Sequence, residues 1–248
     1  MTSEKAQEIL IQTIENYEKI GKEFVLSRAD VWQIFDYFRK FLRSGDKVLD
    51  AGCGNGRLID ILADFDVEYT GIDAAAAQLN FLRANYAPKL RMPPELIQTS
   101  LTELGMLKSG FYDIVFCVAA LHHIPSRELR QRVINEFYRI LRPGGKLVMT
   151  NWNLWSRWAT KKYWPEVFRL IFPHTNMDRG DFLIPWKIRT GEIVYRYYHA
   201  FSRQELARGL ESSGFALQEN RYVNNDVGSG SNMLSGQNIL TIALKRFH

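Results

Sequence analysis

The stretch Asp50-Ala51-Gly52-Cys53-Gly54-Asn55-Gly56 holds the residue types and spacing in this 248-residue chain that best fit ligand chemistry. Its three glycines alternate with other residues, so the backbone can turn tightly and approach a ligand closely. Asp50 stands just ahead of them, and Asp73 closes a second apolar run downstream. A spacing of about twenty residues between glycine loop and acid is the mark of a βαβ unit whose second carboxylate accepts from a ribose diol. Asp73 also precedes Ala74 to Ala77 and could cap a helix there, and one carboxylate can do both. A pyrophosphate prefers Gly-x-Gly-x-x-Gly with a helix dipole aimed at phosphate. Here the order is Asp-x-Gly-x-Gly-x-Gly, and Asp50 would repel a phosphate. It suits a cation instead, such as a sulfonium ligand that also carries an ammonium group.

Alternating strands and helices must position that loop. Lys47–Ala51, Glu68–Asp73, Leu96–Thr99, Tyr112–Val118 and Lys146–Asn151 read as strands of a parallel sheet. Between them Arg57–Phe65, Ala75–Tyr86 and Ser126–Leu141 read as helices, the last capped by Ser126 and stopped by Arg142-Pro143-Gly144-Gly145. Two amphipathic helices, Ser3–Ile20 and Arg28–Leu42, come first. A helix at Ser202–Ser213 and strands at Phe215–Tyr222 and Asn238–Lys245 come last. The expected fold class is α/β: a Rossmann-like, seven-stranded, mostly parallel sheet with helices on both faces. We read a single domain over 1–248, with N-terminal helices (1–45), a cofactor-binding core (46–151), a substrate lid or insertion (152–200) and a C-terminal helix with two strands (201–248). The insertion, expected to be partly helical, is too long for an ordinary connection. Residues 151–199 hold five of the six tryptophans.

Asp50–Gly56, Gly71-Ile72-Asp73, Phe111–Val118 and Leu141–Gly145 together resemble the successive motifs of class I S-adenosylmethionine-dependent methyltransferases. The resemblance implies S-adenosyl-L-methionine as cofactor. It places Gly52, Gly54 and Gly56 at the methionine moiety with Asp50 and Asn55 in the same loop, and Asp73 on the ribose. Ala74, Ser100 and Leu101 would flank adenine, with Cys117 and Val118 beneath the cofactor. Ser100 is a departure, since many relatives carry Asp there.

The flanking sequence resembles the eukaryotic-type tRNA wobble-uridine methyltransferases, which esterify 5-carboxymethyluridine. The matching pieces are Tyr17-Glu18-Lys19-Ile20, Ser27-Arg28, Trp32, His122-His123, Ile184-Pro185-Trp186-Lys187, Arg196-Tyr197-Tyr198-His199 and Gly236-Gln237-Asn238. The resemblance implies a tRNA substrate and a small zinc-binding activator subunit added at a sheet edge. It names Arg28, His122 and His123 as catalytic candidates, and Arg28, Trp186, Arg196, Tyr198 and His199 as substrate-binding candidates. Stretches 151–179 and 223–237 match poorly. Each candidate has a plainer role: Arg28 as a surface arginine at a helix start, one of the two histidines as a helix cap, the tryptophans as the lid's own small core. Strand alternation would put Arg196 and Tyr198 on one face and Tyr197 and His199 on the other. A carboxylate acceptor is ionised near neutral pH and needs no base; for a hydroxyl or amine acceptor, His122 or His123 is the candidate base. A small-molecule O- or C-methyltransferase and a non-catalytic cofactor-binding module are the competing readings.

Local excess positive charge suits a polyanionic partner, whereas a net charge of +5 alone reads as an ordinary solvated surface. The net charge is +5, and residues 151–210 carry ten Lys or Arg against five acids. No apolar run is long enough to span a membrane, and Met1–Leu10 lacks a signal-peptide core, so a cytoplasmic location is expected. Cys53 and Cys117 form no paired motif; they read as buried thiols, and no metal site is expected.

Overall fold

The computed structural model describes residues 1–26, 32–163, 176–224, 227 and 231–247. Arg28 and Trp164 lie outside these residues. Helix α1 spans Ser3–Leu26, α2 Ile34–Phe38, α3 Ile59–Leu62, α4 Ala76–Asn85, α5 Arg127–Ile140, α6 Arg157–Lys162 and α7 Arg203–Ser212. Strands are β1 Lys47–Ala51, β2 Glu68–Asp73, β3 Glu95–Gln98, β4 Tyr112–Val118, β5 Leu141–Trp152, β6 Asp181–Lys187, β7 Ile193–His199, β8 Phe215–Val223 and β9 Asn238–Lys245. Seven strands form one sheet in the order β3-β2-β1-β4-β5-β9-β8, parallel except where β9 runs against both neighbours. This is the expected Rossmann-like sheet.

Both faces of the central strands are buried, so they are apolar without alternation. In β1, Leu49 and Ala51 join a core with Val133, Phe137 and Leu210 from α5 and α7, whereas Val48 joins Phe38, Leu62 and Leu82 on the other face. The side chain of Ser126 accepts from Leu129 N (3.2 Å) to start α5, and that of Ser202 accepts from Glu205 N (3.1 Å) to start α7.

Several elements differ from expectation. Arg57–Phe65 is one helical turn, α3, set among i→i+3 bonds such as Ile59 N to Gly56 O and Phe65 N to Leu62 O. The described part of the second helix is short, and its last turn (Arg39–Phe41) is 3₁₀. Strand β5 begins at Leu141, straight after α5, with a register irregularity opposite Tyr112 and Ile114. Among its described residues the insertion holds the short helix α6 and, unlike the expectation, an antiparallel hairpin, β6–β7. On its inner side Phe182, Ile184, Tyr198 and Ala200 pack with Leu154, Ala159, Trp152 and Trp155.

Helix α1 roofs the carboxyl ends of the strands. Its buried residues Ala6, Ile9, Leu10, Thr13, Asn16 and Ile20 follow helical spacing. Asn16 Nδ2 donates to Tyr195 O in β7 (2.6 Å), and Lys19 pairs with Glu192 (3.3 Å). At the other end Glu18 accepts from the N–H groups of Ala76 and Ala77, capping α4 with a carboxylate from a distant part of the chain.

Candidate active site

A cavity open on one side lies beneath α1 at the ends of β1, β2 and β4. Asp50, Gly52, Gly54, Asn55, Asp73, Ala74, Ser100, Leu101 and Val118 all line it. Cys117 is fully buried in the sheet core, and Gly56 is not in the wall. Gly56 is instead a packing residue. At φ +91° it lets the loop lie on α4, where a Cβ would stand 2.6 Å from Leu82 Cγ. Gly52, at φ +79°, abuts Ala120, whose Cβ would lie 2.5 Å from a Cβ added there.

The loop's N–H groups are largely occupied by the protein itself. Gly52 N and Cys53 N both donate to Ile72 O (2.9 Å each), Gly54 N to Asp73 Oδ2 (2.9 Å), and Gly56 N to Cys53 O (3.0 Å). The helix that follows is a single turn. A phosphate would need free N–H donors and a helix dipole, and this loop offers it little of either. It presents two carboxylates instead, the buried Asp50 (2% exposed) and the half-buried Asp73. The donor set therefore fits a nucleoside with a cationic amino-acid tail: Asp73 toward a diol, Asp50 toward positive charge. Ser100 Oγ sits 2.9 Å from Thr102 Oγ1 and accepts from Thr102 N (3.3 Å), so it shapes its own turn beside Leu101.

A second group of residues gathers at the His122-His123 side of the cavity. His122 stacks on Tyr198 (5.2 Å, 17°), and Tyr198 stacks on Trp152 (5.2 Å, 21°). His123 Nδ1 lies 2.9 Å from Tyr197 O, a carbonyl that only accepts, so Nδ1 carries the proton. His123 Nε2, 2.9 Å from the Tyr17 hydroxyl, then accepts from it in the neutral ring. Arg196 is 2% exposed, with its guanidinium over the rings of Trp186 (4.7 Å) and Tyr198 (5.3 Å). Among the described residues it has no carboxylate partner, and its Nε and Nη1 have no hydrogen-bond acceptor.

Alternation in β7 thus puts Tyr198 in the cavity wall with Arg196 on the same strand face, packed against its ring just outside the wall, and turns Tyr197 and His199 away. His199 is not at the cavity. Its Nδ1 meets Asp181 (2.7 Å) and its Nε2 meets Glu205 (2.8 Å), with Arg130 4.0 Å from Asp181. Burial opposes charge on the His199 ring, but the two carboxylates win and raise its pKa. The expected substrate contact is a structural pin that fastens the hairpin to α5 and α7. Trp186 supports Arg196 from outside the cavity wall. Tyr17, Trp152 and Gln78 also line the site; the sequence signals them only through the Tyr17–Ile20 match and the tryptophan-rich stretch, and gives none for Gln78.

Comparison with known proteins fits this geometry. Residues 49–149 match the family model described as a methyltransferase domain. The chain carries a class I S-adenosylmethionine-dependent methyltransferase domain. It is 24% identical over 221 residues to the tRNA (carboxymethyluridine(34)-5-O)-methyltransferase of Schizosaccharomyces pombe, covering 83% of this chain and 89% of that one. To the mouse protein of that activity it is 29% identical over 146 residues, 59% of this chain but 20% of that protein. It is 28% identical over 142 residues, 57% of each chain, to the ubiquinone biosynthesis O-methyltransferase of Pectobacterium atrosepticum. Among solved structures, the Haloferax volcanii methyltransferase in complex with the Trm112 activator matches its fold with a TM-score of 0.67 at 14% identity, covering 95% of this chain and 98% of that one.

The methyltransferase's Asp50 gives a pH prediction. Burial pushes its carboxyl from 3.8 up to about 7; the Tyr69 hydroxyl (3.0 Å) opposes this and the charge of Asp73 adds to it. An acid raised in the native state binds a proton that the unfolded chain has lost, so its contribution to stability falls as pH climbs from 3.8 through about 7. Binding of a cationic cofactor has the opposite sign, because it favours ionised Asp50 and expels the proton. Calorimetry at pH 6.5 in buffers of different ionisation enthalpy should show proton release on S-adenosylmethionine binding. Affinity should rise toward pH 8, and Asp50→Asn should abolish both effects. Equal heats in all buffers would contradict this role.

Proposed function

We propose that the enzyme methylates a carboxylate, that of a carboxymethyl-modified wobble uridine in tRNA, in the cytoplasm, with residues 152–200 as the acceptor-binding lid. The observation that carries this reading is Arg196, a buried cation lacking a counter-ion among the described residues and packed behind Tyr198 of the cavity wall. An unpaired buried charge is strongly disfavoured, and a substrate carboxylate would complete it. When bound, S-adenosylmethionine supplies a methyl carbon activated by the sulfonium. Arg196 holds the acceptor's oxygen in line with that carbon, with Arg28 proposed as a second cation. Alignment of this kind supplies about 7–11 kcal/mol. Tyr17 and His123 fix each other's hydroxyl and ring, and the His122, Tyr198 and Trp152 rings wall the acceptor end. In the neutral tautomer His123 has no proton left to donate to substrate, so its role here is positioning.

Three cations and a tryptophan face outward on α6: Arg157, Lys161, Lys162 and Trp158, the last 45% exposed. That surface suits an RNA backbone and a stacked base. Lys161→Glu with Lys162→Glu is expected to raise KM for tRNA about 5–20-fold, flatten its salt dependence and leave kcat unchanged. An unchanged KM would remove this face from the RNA path. An activator subunit is proposed at the outer edge of β3, where the parallel part of the sheet ends.

The deciding experiment incubates the enzyme with labelled S-adenosylmethionine and bulk tRNA, with and without a zinc-binding activator, followed by nucleoside analysis. Label in a base-labile uridine ester is expected. Label that stays out of RNA in both cases would favour the second reading, a small-molecule acceptor, for which the apolar Leu10, Ile14, Trp32 and Phe35 in the cavity wall speak.

A further inference from the structure

We propose that Gln78 reads the nucleoside half of the cofactor, donating its carboxamide N–H to a ribose hydroxyl that Asp73 holds from the other side. Gln78 lies in the first turn of α4, is 2% exposed and lines the cavity beside Asp73 and Ala75. Among the described residues neither Nε2 nor Oε1 has a hydrogen-bond partner. Folds rarely bury a carboxamide with both ends unmet, and an exception calls for a ligand that meets them.

The amide has little room to turn to solvent. Helix α1 lies across α4 at Gly21, where an added Cβ would stand 2.9 Å from Ala77 Cβ and 3.8 Å from Gln78 Nε2. Glu18 pins the same junction by capping Ala76 and Ala77. The chemistry complements Asp73. Its two oxygens already accept from Gly54 N and Ala75 N (2.9 Å each), and a carboxylate can only accept further hydrogens. A ribose hydroxyl that donates to Asp73 keeps lone pairs of its own, and a neighbouring carboxamide N–H is the donor they need. Gln78 thus supplies the half of the recognition that an acidic residue lacks.

The test is Gln78→Met, of similar length and apolar, with Gln78→Leu as a second variant. Calorimetry would use S-adenosylhomocysteine and its 2′-deoxy and 3′-deoxy analogues. Gln78→Met is expected to bind S-adenosylhomocysteine about 10-fold more weakly. It should bind one of the two deoxy analogues within twofold of wild type, since that analogue lacks the hydroxyl in question. KM for S-adenosylmethionine should rise while kcat holds. Melting of the ligand-free protein should not fall, because an unmet amide has been replaced by an apolar chain. Unchanged affinity for S-adenosylhomocysteine, equal loss for all three ligands, or a lower melting temperature in both variants would each overturn the assignment.

Discussion

Replacing Arg196 by methionine is expected to lower kcat/KM for a carboxylate acceptor by about 10²–10³-fold. Affinity for S-adenosylhomocysteine should stay within twofold, and the melting temperature should hold or rise. The argument rests on what surrounds the side chain. Trp186 and Tyr198 sandwich the guanidinium, and no carboxylate among the described residues offsets its charge. If Arg196 served the fold, its removal would cost stability. If it awaits an anion, its removal relieves the empty state and injures only the complex. Differential scanning calorimetry and steady-state kinetics on one preparation separate the two cases. A fall of several degrees with activity intact would show a structural arginine. Arg196→Lys should recover little, because an ammonium lacks the planar fork that stacks between rings and grips two oxygens.

Asp73→Ala is expected to raise the dissociation constant for S-adenosylhomocysteine at least 100-fold and to lower the melting temperature. Three things are lost at once. Gly54 N loses its acceptor, so the glycine turn loosens; Ala75 N loses its acceptor at the start of α4; and the ribose loses its carboxylate. Hydrogen bonds to a charged group contribute about 1.5–3 kcal/mol each, so two decades of affinity is a conservative figure. Burial raises the pKa of Asp73, against the pull of the Ala75 and Gly54 N–H groups. Asp73→Asn keeps one acceptor oxygen and should fall between wild type and alanine. Binding by Asp73→Ala within tenfold of wild type would mean that the nucleoside is anchored elsewhere.

What the sequence disclosed follows from how local each signal is. The glycine turn and Asp73 are legible because both sit at strand ends fixed by short-range hydrophobic runs. Alternation in Arg196–His199 already separates Arg196 and Tyr198 from Tyr197 and His199, and a substrate contact at His199 runs against that spacing. Helix α3 has the right apolar period but bonds mainly i→i+3, a distinction the period does not carry. Hairpin β6–β7 was hidden by Pro185 within a strand and by a surrounding stretch rich in tryptophan. Glu18 capping α4, and Tyr17 meeting His123, join residues 58 and 106 positions apart. No sequence window contains such pairs.

The occupied N–H groups of the glycine turn bear on life among competing metabolites. ATP and nicotinamide dinucleotides present the same adenosine head as the methyl donor, and a pocket that welcomed phosphates would be clogged by them. Here the turn's donors already serve Ile72, Asp73 and Cys53, and two carboxylates repel the phosphate tails. The turn therefore leaves the phosphates of such energy carriers few backbone donors to bind, while the adenosine head that they share with the methyl donor gains no advantage from it.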